Sequence, residues 1–253
     1  MIKYEQPLNE RVRTLLRLEF LFNLIDYFQD DMSETDIRMI LNTLFDVADL
    51  IGRSDIKGEL IKELERQNSN LEALQGKPGV DTDRLNAILD DIGAYLSDLR
   101  SAQYQPGQML RQDELLATVK QRNTIPGGTC NFDLPSYYHW LHRSREEHAA
   151  RLKNWQSDLV VIKNSVFLAL HLIRNSSRPS AEMAENGFYQ RALEAGANCQ
   201  LIRVLLPEDA ACYPEISGGR HRFTVRFMEQ PDTFSRPTQV KRNVEFQLYC
   251  CML

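Results

Sequence analysis

Apolar residues recur every three to four positions up to about residue 175, and every second position beyond it. The first period is that of amphipathic helices and the second that of half-buried strands. Asn9 to Gln29 predicts a largely buried helix with Asn9 as N-cap, because its apolar positions cover a wide stripe. Ser33 with Asp36 resembles a capping box opening a helix over Glu34 to Ile51, ended by Gly52. Asp55 to Leu74 follows, with Glu59/Lys62 and Glu63/Arg66 as i,i+3 pairs on a solvated face. After the stop Gly76–Gly79, Asp81 or Thr82 caps a helix to about Leu99.

Past Pro106-Gly107, a helix is expected over Arg111 to Asn123, then a loop from Ile125 to Pro135, whose prolines and glycines suit neither helix nor central strand. Ile125, Phe132 and Leu134 are expected to bury and order that loop. Asp133 can cap Ser136 to His142, and Ser144 with Glu147 predicts one long helix to about Asn175. Near Arg178-Pro179 the period changes. Cys199 to Leu206, His221 to Met228 and Asn243 to Leu248 read as strands, Gly187 to Ala192 is a candidate for another, and Ile2 to Glu5 is a candidate strand returning to the same sheet. The expected fold class is α+β: a mainly helical bundle over residues 1–180 followed by a small antiparallel β-sheet or sandwich domain over 181–253.

The segment Tyr213 to Met228, YPEISGGRHRFTVRFM, changes this picture most. Read as a strand, it places Arg220, Arg222 and Arg226 on one face with Thr224, and His221, Phe223, Val225 and Phe227 on the other. One face suits a core and the other an anion. Charge on an edge strand also discourages aggregation, a purpose lysine serves as well as arginine. A planar, always charged guanidinium is better matched to carboxylates or phosphates. Arg236, Lys241 and Arg242 add positive charge nearby, while in the first helix Arg13 and Arg17 lie at i,i+4, with Glu10 placed to neutralise Arg13.

The chain as a whole is acidic, with a formal net charge of -5 and 43% apolar residues, so a basic site must be local and general nucleic-acid binding is disfavoured. Stacking of bases would need aromatics on the arginine face, and Phe223 and Phe227 fall on the other. An acidic peptide is the preferred ligand; nucleic acid or an anionic membrane surface is the alternative use of the same patch. The five cysteines form no CxxC pair, which with the absence of an apolar leader or a ~20-residue apolar run points to a reducing cytosol without membrane insertion. Cys250 and Cys251, as strand neighbours, should face opposite ways, one buried and one partly exposed. Cys130 with His139 and His142 is the best enzyme candidate, but no signature supports it. No metal-ligand or nucleotide-binding pattern accompanies the histidines or Gly76-Lys77-Pro78.

The segments PLNERVRTLLRLEFL (Pro7 to Leu21), KGELIKELERQ (Lys57 to Gln67), IPGGTCNFDLP (Ile125 to Pro135), NGFYQ (Asn186 to Gln190), YPEISGGRHRFTVRFM and the terminal cysteine pair resemble the ZapD family of cell-division proteins over essentially the whole chain. The resemblance implies a helical domain joined to a β domain, a cytoplasmic homodimer at the midcell division site, no catalysis and no cofactor. It also implies binding to the C-terminal tail of the tubulin-like protein FtsZ, whose filaments such a dimer cross-links and bundles. Basic residues of a positively charged pocket are implicated in tail binding, which here implies Arg17, Arg53, Arg222 and Arg226; Arg220 joins them by strand parity alone. Glu114 and Tyr138 depart from the family's pattern, where an arginine and a histidine can stand, and are left out of the expected site.

Overall fold

The structure is a computed structural model, and it describes residues 1–53, 55–193, 198–219 and 221–252. The chain forms two compact units, Leu15–Ala169 and Met1–Thr14 with Leu170–Leu253. A helical region and two small antiparallel sheets give the α+β class expected from the sequence.

The helical unit begins in α1 (Glu10–Phe28). Leu15, Leu18, Phe22 and Ile25 recur on one side of it and are buried. Asn9 caps it, its side-chain oxygen accepting from the Val12 amide at 2.8 Å. In α2 (Glu34–Arg53) the capping box is complete: the Ser33 amide donates to Asp36 at 2.9 Å and the Asp36 amide to Ser33 Oγ at 3.2 Å. Gly52 does not end α2, which continues to Arg53, because Gly52 is one of the glycines that lacks the left-handed backbone a C-terminal stop requires. Asp55 caps α3 (Ile56–Glu72) and Asp81 caps α4 (Thr82–Arg100), each accepting a backbone N–H three residues on. The Glu59/Lys62 pair is solvated as expected, but Glu63 is fully buried. Its carboxylate is held by Arg66 and by Gln67 Nε2, the latter at 2.8 Å, and Gln67 also donates to the Ala169 carbonyl. A charge at a core position persists there because it is paired and hydrogen-bonded.

Two expected helices are each broken in two. Residues 108–122 form α5 (Gln108–Gln112) and α6 (Glu114–Arg122). Asp113 between them accepts from the Leu116 amide at 3.1 Å and from Trp155 Nε1 at 2.8 Å, which draws the backbone out of the helical ladder. Residues 145–175 form α8 (Arg145–Gln156) and α9 (Val160–Asn175), bent by 68° at the break. Between α6 and α8 lies α7 (Pro135–Leu141), which starts on Pro135 and has no side-chain cap; Asp133 instead accepts from the Cys130 thiol at 3.4 Å. In the loop before it, Leu134 is buried as expected, whereas Ile125 and Phe132 are 48% and 80% exposed.

The β unit contains two sheets. One has the order β1 (Ile2–Pro7), β4 (Cys199–Leu206), β8 (Val244–Met252), β2 (Ser180–Ala184); the other has β3 (Phe188–Ala192), β6 (Arg222–Glu229), β5 (Tyr213–Gly218), with β7 (Thr238–Gln239) pairing β6. All named pairs are antiparallel. Their facing sides share one core that includes Ile202, Val204, Phe223, Val225, Phe227, Phe246 and Leu248. Truncating either of the fully buried Phe223 and Phe227 to alanine is expected to cost about 3–5 kcal/mol. Between β2 and β3, Asn186 and Gly187 take φ of 50° and 71°, and the Phe188 amide closes the turn on Glu185 O at 3.0 Å. Two successive positive φ values are the hairpin turn that Asn-Gly favours.

The first sheet's other face carries an ion-pair cluster. Glu5 on β1 receives Arg174 of α9 through two bonds of 2.9 and 2.7 Å and lies 2.8 Å from Arg203 Nε on β4. Arg203 in turn lies over the Tyr249 ring at 5.1 Å. Both arginines are tied into the fold by Glu5, whose one carboxylate offsets one of their two charges.

Candidate functional site

The segment Tyr213 to Met228 is a hairpin rather than one strand. Gly218 and Gly219 allow the chain to reverse, with the Gly219 amide donating to the Arg222 carbonyl at 3.0 Å, so β5 and β6 lie side by side. A Cβ at Gly218 would press on the end of the Leu8 side chain, which would have to move aside. On β6 the alternation expected from the sequence holds. Phe223, Val225 and Phe227 are fully buried, while Arg222 and Arg226 are exposed with Thr224 half-buried between them. The two arginine Cα atoms are four residues apart along a strand, or about 13 Å.

This exposed face forms an open groove of about 560 Å³ lined by polar residues such as Gln190, Ser217, Thr224, Arg222 and Arg226, and by Phe188. Neither Arg222 nor Arg226 makes an ion pair within 4 Å among the described residues, in contrast to Arg174 and Arg203. Arg242, also expected to add free positive charge, is instead paired with Glu229 at 3.0 Å. Glu215 lies opposite Arg226 in the β5–β6 register and is exposed on the same face. The groove is therefore cationic around Arg222 and mixed around Arg226.

Three features of the face escaped sequence reasoning. Phe188 pairs with Arg226 across β3–β6, so an aromatic does share the arginine face, 37% exposed. The neighbouring strand supplies it, and parity along β6 alone gave no sign of it. His221, expected on the inner face, precedes the first residue of β6, is exposed, and lines the groove. Glu215 was legible only once β5 was recognised as a separate strand.

The remaining predicted site residues stand elsewhere. Arg17 is exposed on α1 and Arg53 is the exposed last residue of α2; neither has an ion-pair partner among the described residues, whereas Arg13 is neutralised by Glu10 at 3.1 Å as expected. Both belong to the helical unit, and of the set it is Arg222 and Arg226 that line the groove on β6 among the described residues. Arg220 lies outside the described residues.

Cys130 touches Asp133, and His142 Nδ1 meets the Tyr138 carbonyl at 2.9 Å, so the candidate nucleophile has no bonded imidazole base among the described residues. His148 is buried and bonded to the Trp140 carbonyl at 2.9 Å. Among the described residues no group of three or more His, Cys, Asp or Glu side chains is arranged to hold a metal ion.

The profile of one protein family, ZapD, described as a cell division protein, matches residues 16–226. A protein named cell division protein ZapD from Ralstonia pickettii (strain 12J) is 39% identical over 252 residues, covering 99% of both chains. Another of that name, from Cupriavidus pinatubonensis (strain JMP 134 / LMG 1197), is 40% identical over 252 residues with the same coverage.

Proposed function

The chain belongs to the ZapD family of cell division proteins, and from that premise we propose that it acts as a non-enzymatic adaptor gripping the C-terminal tail of FtsZ. The groove on β6 is the tail site. One observation carries this reading: Arg222 and Arg226 project from an open sheet face with their charges uncompensated by any ion pair among the described residues, on a chain that is acidic overall. A guanidinium held on a strand binds a carboxylate through two parallel hydrogen bonds, and the rigid backbone lowers the entropy cost of presenting it. Phe188 beside Arg226 adds an apolar contact that a peptide side chain can cover. Arg17 and Arg53 are further tail contacts on the strength of the family resemblance, as is Arg220.

A homodimer with two such sites would hold tails from two filaments, so that cross-linking and bundling follow from bivalency. The protein would act in the cytoplasm at the midcell division site, without inserting into the membrane. No single described helix is long and apolar enough to cross a membrane.

Co-sedimentation with polymerised FtsZ tests the proposal. The protein is expected to pellet with intact filaments, to bundle them, and to stay in the supernatant with filaments lacking the tail. Equal pelleting with both overturns it. Phe188 on the arginine face also offers one stacking platform to a single-stranded nucleic acid. Displacement of bound oligonucleotide by tail peptide, with the tail binding more tightly, separates the two ligands.

A further inference from the structure

We propose that Cys199 and Cys250 form an oxidisable dithiol, with Cys250 as the thiol oxidised first and Cys199 as the one that resolves it into a disulfide. The two residues stand on adjacent strands, β4 and β8. The register pairs Cys199 with Met252 across a bulge that follows Cys199, which puts Cys250 on the same face, one diagonal step away. Diagonal neighbours on one face of a regular sheet lie about 7–8 Å apart, and a bulge bends the strand and increases the local twist, which changes that spacing. Both thiols are half-buried and both pack against the core shared by the two sheets.

The other cysteines are excluded by position. Cys251 points to the opposite face, where it is fully buried between the Ser177 hydroxyl at 3.5 Å and the Arg174 carbonyl at 3.9 Å. Cys212 is buried, and Cys130 belongs to the helical unit.

The surroundings of the pair favour an ionised Cys250. The hydrogen bond from Cys199 draws the Cys250 thiol down from 9.0 to about 7, assisted by the Arg191 guanidinium and opposed by burial and the Glu182 carboxylate. Cys199 is pushed up by the same hydrogen bond and by its own burial, so it keeps the proton while Cys250 reacts. With a peroxide as oxidant, the Cys250 thiolate attacks one peroxide oxygen. The O–O bond breaks, the other oxygen leaves as hydroxide and takes up a proton as water, and Cys250 becomes a sulfenic acid. Cys199, deprotonated, then attacks the Cys250 sulfur; the S–S bond forms, the S–O bond breaks, and a second water leaves. Two thiols and one peroxide yield one disulfide and two waters. The product ties the start of β4 to the end of β8.

Hydrogen peroxide added to the full-length protein, followed by alkylation and peptide mapping without reductant, tests the assignment. The expected result is a Cys199–Cys250 linked peptide pair that dithiothreitol separates. Cys199→Ser should stop at the Cys250 sulfenic acid, trapped by dimedone, and Cys251→Ser should leave the link unchanged. A map in which Cys250 stays reduced while other cysteines oxidise, or in which its link runs to a different cysteine, overturns the proposal. The wild-type map decides the question even if a variant fails to fold.

Discussion

Arg226 on β6 faces Glu215 on β5 across the hairpin, yet the two make no ion pair within 4 Å. Opposite charges facing each other on a sheet contribute roughly 0.2–1 kcal/mol, so Glu215 partly satisfies Arg226 in the absence of a ligand and competes with an acidic peptide for it. Arg222, further along the strand, pairs across β3–β6 with Ala192 and has no such competitor in that register. Glu215→Gln is therefore expected to tighten binding of an FtsZ tail peptide by about two- to fivefold, consistent with the loss of a weak competing pair, as read by fluorescence anisotropy. Weaker binding would show that Glu215 contacts the ligand favourably.

Arg222→Glu and Arg226→Glu should each weaken tail binding by at least about tenfold, since hydrogen bonds to charged groups are worth roughly 1.5–3 kcal/mol. Both side chains are exposed and unpaired among the described residues, so thermal unfolding should change little. An unchanged affinity removes the residue from the site.

Binding through such a patch is screened by salt. Raising ionic strength from ~0.05 to ~0.5 M, which shortens the screening length severalfold, should lower the affinity steadily for the wild type and less steeply for Arg222→Gln. Parallel slopes would show that Arg222 carries none of the electrostatic attraction.

Glu5→Ala strands Arg174 and Arg203, which otherwise share its carboxylate in a mostly buried cluster. Breaking such a cluster by removing one partner costs about 3–5 kcal/mol, measurable as a lowered urea midpoint. The conservative Glu5→Gln should recover part of the loss through its remaining acceptor oxygen.

Alkali should loosen the helical unit. Burial pushes the Tyr137 hydroxyl up from 10.0 to about 12 and raises Tyr104 further, the Arg38 guanidinium opposing the first and a backbone hydrogen bond the second. A raised folded value means that the fold favours the neutral phenol. The stabilisation is complete below pH 10 and is lost as pH rises through the folded values, by roughly 2–3 kcal/mol for Tyr137. Tyr137→Phe should flatten this dependence in unfolding titrations between pH 10 and 12, and an unchanged slope would assign it to other groups.

Helix starts were readable because a cap is a local device: Asn9, Ser33, Asp55, Asp81 and Ser144 each accept a backbone N–H three residues on, within the reach of sequence spacing. The bend after Gln156 was not readable, because Trp155, Leu159 and Ile162 are buried on both sides of it and keep the apolar period running through the break. Glu63 looked solvated because its partner Arg66 is a surface-type neighbour, whereas its burial is settled by the packing around Gln67 and Ala169. The alternation on β6 survived intact, since neighbouring side chains on any strand must point to opposite faces. Phe188 and Glu215 reach the arginine face from other strands, and no property of β6 announces them.

Period, capping and strand parity act over a few residues, so residue order alone dictated the α+β class, most element starts and the separation of Arg222 and Arg226 from the phenylalanines behind them. Which charges are spent and which remain available depends on partners far along the chain: Glu5 reaches Arg174 and Arg203 through sheet and helix packing, and Glu215 reaches Arg226 through the hairpin register. Those long-range pairings follow from strand register and from packing the two sheets around one core, conditions met only by the folded chain.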